Sequence, residues 1–321
     1  MQSRATLFVL AVTLALGIAV VAQAGTLYQS GDVFVSIGNG QVNEYRPDGT
    51  FVQNLNDGSG SLTTGMAFDA SGNLYVTNFI AGSISRFDNS GNNLLTNWVT
   101  GQTNPESISM VNGAFPALVG DAGRTTIAQY SSSGGLLNTY TVASGPRGTD
   151  WVDLLPNGNT VLYTSEGTQI YSYNLIGGQN TPFATGLPGA AAYALREITS
   201  GTFAGYVLVA DSSAALLLTP SGAIMTVYNL PGNTGSDFAL NLDPTGNFFW
   251  TADAGSGEVW EVDIATGAIM EHWNSGFPIS TFGLAVFGEH GQGTTPEPGT
   301  LIMFGSGVLG LAGIIRRKMN R

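Results

Sequence analysis

The 321-residue chain has no cysteine, two histidines (His272 and His290) and a single lysine, Lys318. Without cysteine there is no disulfide, no thiolate nucleophile and no thiolate metal site, so packing alone must hold the fold. Two histidines exclude a multi-histidine zinc centre and leave little room for a Ser-His-Asp triad. Only 10% of the residues are charged. No long window shows the 3.6-residue apolar period of a helix. Phosphate-cradling loops, dinucleotide fingerprints and EF-hand loops are also missing. The glycines instead punctuate short polar turns such as RPDGT, DASGN, DNSGN and DPTGN.

What is present at the two ends differs from the rest. Arg4 precedes an apolar stretch from Leu7 to Val21, and Ala22-Gln23-Ala24 follows as a small-residue cleavage site. This layout predicts a removable signal peptide over residues 1–24 rather than a transmembrane helix. At the other end, Thr300 to Ile315 forms an apolar run of 16 residues that stops at Arg316-Arg317-Lys318. A helix crossing the hydrocarbon core needs about 20 residues, and a basic cluster after an apolar run stays in the cytoplasm. The tail reads as a short transmembrane segment with the preceding protein outside.

Pro296-Glu297-Pro298, the apolar run and the basic end occur in that order. Together they resemble the PEP-CTERM sorting signal of Gram-negative bacteria. The resemblance implies an exosortase as partner, anchoring in the inner membrane, cleavage near the PEP motif and delivery to the cell surface or beyond. A permanent short anchor is the alternative. The expected division is a signal peptide (1–24), a folded region (25–291), a linker with the motif (292–298) and an anchor (299–321).

Between the ends, Gly25 to Thr295 keeps five arginines against 21 carboxylates, a formal net charge of −16. Such a surface repels nucleic acid and favours cations.

A repeat organises this region. Thr63 to Val99 contains GMAF, LYVTN, SISRF and LLTNWV, separated by DASGN, FIAG and DNSGN. Short β-branched and aromatic runs between such turns read as antiparallel hairpins. Ala239 to Trp273 repeats the unit closely, and weaker copies start near Ser107, Trp151 and Tyr193. The spacing of about 43 residues is that of a four-stranded propeller blade. Asp32 to Leu55 supplies strands two, three and four of a blade, and Phe282 to Gly288 supplies a lone first strand. The prediction is therefore an all-β, six-bladed propeller whose N-terminal blade is closed by a C-terminal strand, against an all-β sandwich or open stack of hairpins. GMAFDASGNLYVTN, LVAD and WTADAGSGEVWEVD make the region similar to NHL-type propellers and, more loosely, to gluconolactonase-like and streptogramin-lyase-like ones.

In a propeller, the loops before first strands and after second strands open on one face. Before first strands these supply Glu106, Asp150 and Asp237, with Arg147 nearby; after second strands, Asn78, Asp121, Glu166, Asp211 and Asp253, with Arg124 nearby. The second series recurs at one repeat position, which suits a scaffold role in capping turns. Glu106, Asp150 and Asp237 stand outside it and are the candidate ligands for Ca²⁺ or another divalent cation. Resemblance to the gluconolactonase-like propellers implies a channel-bound ion polarising a lactone, with these three as ligands or base. Streptogramin-lyase-like activity uses a histidine, yet neither His272 nor His290 is expected on the channel face. Trp98, Trp151, Trp250, Trp260 and Trp273 fall in or beside strands and are expected to pack between blades. The expected role is a binding or scaffold module at the surface or in secreted matrix, with polysaccharide or an envelope protein as partner. A metal-dependent lactonase or esterase is the alternative.

Overall fold

The computed structural model describes residues 25–289. The signal-peptide residues with Ala22 and Ala24, His290, the Pro296-Glu297-Pro298 motif and Arg316, Arg317 and Lys318 lie outside the described residues. Those described form 24 strands in six four-stranded antiparallel sheets. Among them no helix is long and apolar enough to cross a membrane.

The sheets are propeller blades. Blades 2 to 6 are continuous in sequence, with innermost strands Thr63–Phe68, Pro105–Val111, Val152–Leu154, Leu195–Glu197 and Asp237–Leu242. Blade 1 is composite: Val33–Gly38, Gln41–Tyr45 and Phe51–Asn56 are completed by the innermost strand Leu284–Val286. That strand pairs antiparallel with the first one, Val33 opposite Val286 and Val35 opposite Leu284. Each innermost strand touches the innermost strand of the next blade, around the full circle. The predicted closure and blade boundaries agree with this arrangement to within about two residues.

Local sequence explains the hairpins. In DASGN, the Asp69 carboxylate accepts from the amides of Ser71 and Asn73, both at 2.9 Å, and Gly72 takes φ +79°. In DPTGN, Asp243 accepts from Thr245, Asn247 and Phe248. The short carboxylate satisfies turn amides that strand pairing cannot reach.

Burial falls from the axis outward. Thr63–Phe68 is wholly buried, whereas the outermost strand Asn93–Val99 of the same blade is largely exposed. The core lies between neighbouring blades. Tyr75, Ile84 and Trp98 of blade 2 pack on Ile108, Ala117 and Val119 of blade 3, and Val33 and Val35 of blade 1 pack on Ala239 and Trp250 of blade 6. Trp98, Trp151, Trp250 and Trp260 are buried in such layers, and Trp273 packs beside one.

Hydroxyls join the innermost strands. Thr64 Oγ1 donates to the Pro105 carbonyl at 3.2 Å, and Ser107 Oγ donates to the Asp150 carbonyl at 2.7 Å. At the closure, Ser36 Oγ accepts from the Gly283 amide at 2.7 Å. A Cβ on Gly283 would collide with the Thr64 backbone carbonyl. Only a hydrogen lets the closing strand approach blade 2 this closely. Gly283→Ala is expected to cost about 1–3 kcal/mol, the usual penalty for forcing atoms into a packed site. Chemical denaturation would show this as a lower midpoint with an unchanged slope.

Candidate functional site

The loops before first strands and after second strands gather on one face, here the upper face. A cavity of about 530 Å³ opens there at the channel mouth. Its wall takes residues from all six blades or the loops entering them. Leu62, Thr64 and Phe79 belong to blade 2, Glu106 to blade 3, Arg147 and Glu166 to blade 4, Tyr193 to blade 5, and Ser236, Phe238, Ala254 and Gly255 to blade 6. Ile279 and Phe282, from the segment leading into the closing strand, complete the ring.

The capping series behaves as a scaffold in four blades. Each residue at the end of a second strand ties down the loop entering its own blade. Asn78 Nδ2 donates to Asp57 at 2.7 Å. Asp121 accepts from the amides of Thr103 and Asn104, and Arg124 Nε lies 3.5 Å from Asp121. Asp211 accepts from the Gly189 amide. Asp253 accepts from the amides of Thr234, Ser236 and Ser256, and these bonds hold its carboxyl below the ordinary carboxylate range despite burial.

Blade 4 departs from the series. There Ser165 takes the role, its Oγ accepting from the Gly145 amide at 2.8 Å and donating to the Arg147 carbonyl at 2.7 Å. Glu166, one residue further on, sits in the left-handed region at φ 48°. Its carboxylate pairs with Arg147 Nη1 on the cavity wall. Glu166 thus belongs to the channel cluster rather than to the scaffold.

Glu106, Asp150 and Glu166 each offer an oxygen within 4.8 Å of the others. Arg147 lies among them, Nη2 at 3.5 Å from Glu106 and Nε at 3.9 Å from Asp150. Three carboxylates against one guanidinium leave the cluster underneutralised. Glu106 Oε2 and both Asp150 oxygens are buried without a hydrogen-bond donor of their own. Burial, then repulsion from Asp150, pushes the Glu106 carboxyl well above its ordinary range, while Arg147 opposes the shift. Burial, then Glu166, pushes Asp150 up to about 7. Buried carboxyls crowded in this way favour their neutral forms or a counter-charge.

Asp237 does not join this cluster. It is fully buried in blade 6, bonded by Thr251 Oγ1 at 2.5 Å, and the carboxylates that act on it are Asp253 and Asp211. The loop–strand junction is the same, but it lies two blades on from Asp150 around the axis, with blade 5 between them. The expected triad of Glu106, Asp150 and Asp237 is therefore replaced in space by Glu106, Asp150 and Glu166.

The aromatic part of the mouth was not singled out in the sequence. Tyr193 stacks on Phe238 at 4.3 Å between centroids, and Phe282 meets Phe238 edge-on at 5.2 Å. The Arg147 guanidinium lies 5.5 Å from the Phe79 ring. His272 lies on the outermost strand of blade 6, bonded to Glu258 at 2.7 Å, away from the mouth.

Asp150 gives a pH signature. A carboxyl whose folded pKa exceeds its unfolded value binds a proton on folding, so its contribution is present at low pH and lost as pH rises. The loss runs from the ordinary range near 4 to about 7. Asp150→Asn removes it. The variant should gain stability over the parent progressively across that window, on the order of a few kcal/mol, and then level off. Melting curves of both proteins from pH 4 to pH 8 check this; a constant difference would contradict it.

A model of the PEP-CTERM protein-sorting motif matches residues 294–318. No curated protein matches the chain in sequence. Among solved structures, a chain of a nidogen/laminin complex aligns with TM-score 0.65 and 15% identity, covering 80% of this chain and 98% of that one. Virginiamycin B lyase from Staphylococcus aureus, as an inactive variant with quinupristin, aligns with TM-score 0.56 and 16% identity, covering 81% and 86%. A streptogramin B lyase structure aligns with TM-score 0.51 and 16% identity, covering 69% and 71%. At such identities the likeness concerns the fold alone. The chain is a six-bladed β-propeller with a PEP-CTERM sorting motif at its C-terminus, which marks it for exosortase sorting, export and transient anchoring through the tail.

Proposed function

We propose that this exported propeller is a binding module of the cell surface or secreted matrix, and that its channel mouth takes a saccharide chain. The signal peptide would end at Ala24 and the propeller at about residue 291. The observation that carries this reading is the mouth itself. Phe79, Tyr193, Phe238 and Phe282 share its lining with Arg147, Glu106 and Glu166. Aromatic rings stack on the apolar faces of sugar rings, while the charged groups meet their hydroxyls. The net charge of −16 over Gly25 to Thr295 favours neutral or amino sugars over uronic acids.

Titration of purified protein with neutral, amino-sugar and uronic-acid oligosaccharides tests this. Binding is expected for the first two classes. Tyr193→Ala should weaken it roughly 3- to 10-fold, the loss of one stacking ring. No binding of any class, or binding indifferent to Tyr193 and Phe238, would remove the reading.

A second reading, a cation-dependent lactonase or esterase, is favoured by the close oxygens of Glu106, Asp150 and Glu166 and by their unmet lone pairs. Oxygen-only ligands suit Ca²⁺ or Mg²⁺. A cation there would raise the melting temperature of chelated protein by mass action, and Glu106→Gln with Glu166→Gln should abolish the rise. The absence of any shift with Ca²⁺, Mg²⁺, Mn²⁺ or Zn²⁺ would leave the binding module alone.

A further inference from the structure

The lower face of the propeller carries a second ion cluster, built where the described chain ends. Arg196 on the innermost strand of blade 5 is buried. Its Nε donates to Glu289 Oε1 at 3.1 Å, and its Nη1 lies 3.5 Å from Asp153. Glu289 is buried as well and also accepts from the Leu242 amide, on blade 6, at 3.1 Å. The side chain that ends the propeller is therefore clasped to the lower ends of two innermost strands, beside the axis. These groups line a cleft of about 280 Å³ at the lower channel mouth. A buried guanidinium–carboxylate pair with further hydrogen bonds resists separation, because removing either partner strands the other.

We infer that this clasp sets how the anchored protein stands on the membrane: across its orientations the lower face lies nearer the bilayer than the upper cavity, which never faces it. The argument is one of reach. Eleven residue steps separate Glu289 from Thr300, where the apolar run begins; fully extended they span about 36–40 Å. Strands of about six residues, with turns at both ends, give a body about 30 Å high, and four strands at about 4.8 Å spacing around a channel give a radius of about 25 Å. To bring the upper face to the bilayer, the chain would have to cross the lower face and climb the side, about 55 Å. The tether is too short. To reach the rim it needs only the radius. Electrostatics do not draw the lower face onto anionic lipid, although Ile176 on its blade-4 turn is 79% exposed. The lower turns carry Asp48, Asp69, Asp88, Asp243 and Asp263, and Arg46 beside them is held by Asp32 at 2.5 Å. Anionic lipid repels such a face.

The absence of native cysteine makes the test clean. Thr199→Cys on the lower face and Ile80→Cys on the upper face, where Ile80 is 73% exposed, each place one dye on the full-length chain. The protein is reconstituted into phosphatidylethanolamine–phosphatidylglycerol vesicles with a headgroup energy acceptor, and the floated fraction is measured. Transfer from position 199 should exceed transfer from position 80 several-fold. A flexible insert of about 120 Gly/Ser residues between 290 and 293, whose r.m.s. span of about 60 Å exceeds the path to the upper face, should erase the difference. Equal transfer in the parent, or stronger transfer from position 80, overturns the inference. So does a difference that survives the insert, which would mean adhesion of the lower face. Failure of the chain to float with the vesicles would overturn it by removing the anchor.

Discussion

The pairing of Leu284–Val286 with Val33–Gly38 is the constraint on which the rest depends. A four-stranded sheet has two edges and one unsatisfied apolar face per neighbour. Six of them satisfy each other only if the ring is complete. Three residues at the end of the described chain supply the last innermost strand, and their burial seals blade 1 against blade 6 through Val33, Val35 and Trp250. The approach is so close that Gly283 has no room for a side chain. Chain ends distant in sequence thereby become neighbours. The segment before blade 1 also returns to the lower face, the Tyr28 amide donating to the Asn89 carbonyl at 3.1 Å.

Ring closure has an electrostatic consequence. Innermost strands converge on a narrow axis, so polar residues at their ends are crowded together and cut off from water. Crowded carboxylates must then find donors, find counter-charges or hold protons. The scaffold carboxylates find donors: Asp121 and Asp253 use the amides of the loops they tie down. Glu289 finds a counter-charge in Arg196, and Asp153 shares it. Glu106 and Asp150 find neither in full, since Arg147 is divided among three acids and is itself partly open to solvent. Their raised proton affinities follow from that shortage.

The fold was legible because its evidence is periodic. DASGN and DPTGN mark the same hairpin in blades 2 and 6, and the missing first strand of blade 1 had a visible counterpart in FGLAVFG. The site was legible in part. Glu106 and Asp150 stood out because they broke the repeat. Asp237 broke it too, and its place on blade 6, two blades on from Asp150, was already given by the order of the repeats; repeat position matched its height along the axis, but its angle around the axis sets it apart. Glu166 was assigned to the capping series because the shift by one residue, with Ser165 as the true cap, shows only in the strand register. Tyr193 and Phe238 went unremarked because aromatic residues beside strands usually fill the core. Arg196 and Glu289 carry no sequence signal, because a lone charged residue in or beside a strand reads the same whether it is solvated or paired at the buried lower end.

The two mouths of the channel therefore differ in kind. At the lower one, the strongest interactions are spent on fixing the point where the chain leaves the propeller, and the adjoining turns are closed on themselves by their own aspartates. One guanidinium serves Asp153 and Glu289 there, while Arg196 Nη2 and Glu197 Oε2 stay buried without a hydrogen-bond partner. At the upper one, stacked rings share the lining with carboxylates of unmet capacity, an arrangement that costs stability in the isolated molecule and is repaid only when something else supplies donors or charge. The same closed ring produces both. It fixes Glu289 at the lower mouth and gathers the aromatic wall at the upper one, so in the proposed orientation the cavity proposed to bind a partner is the part that anchoring cannot cover.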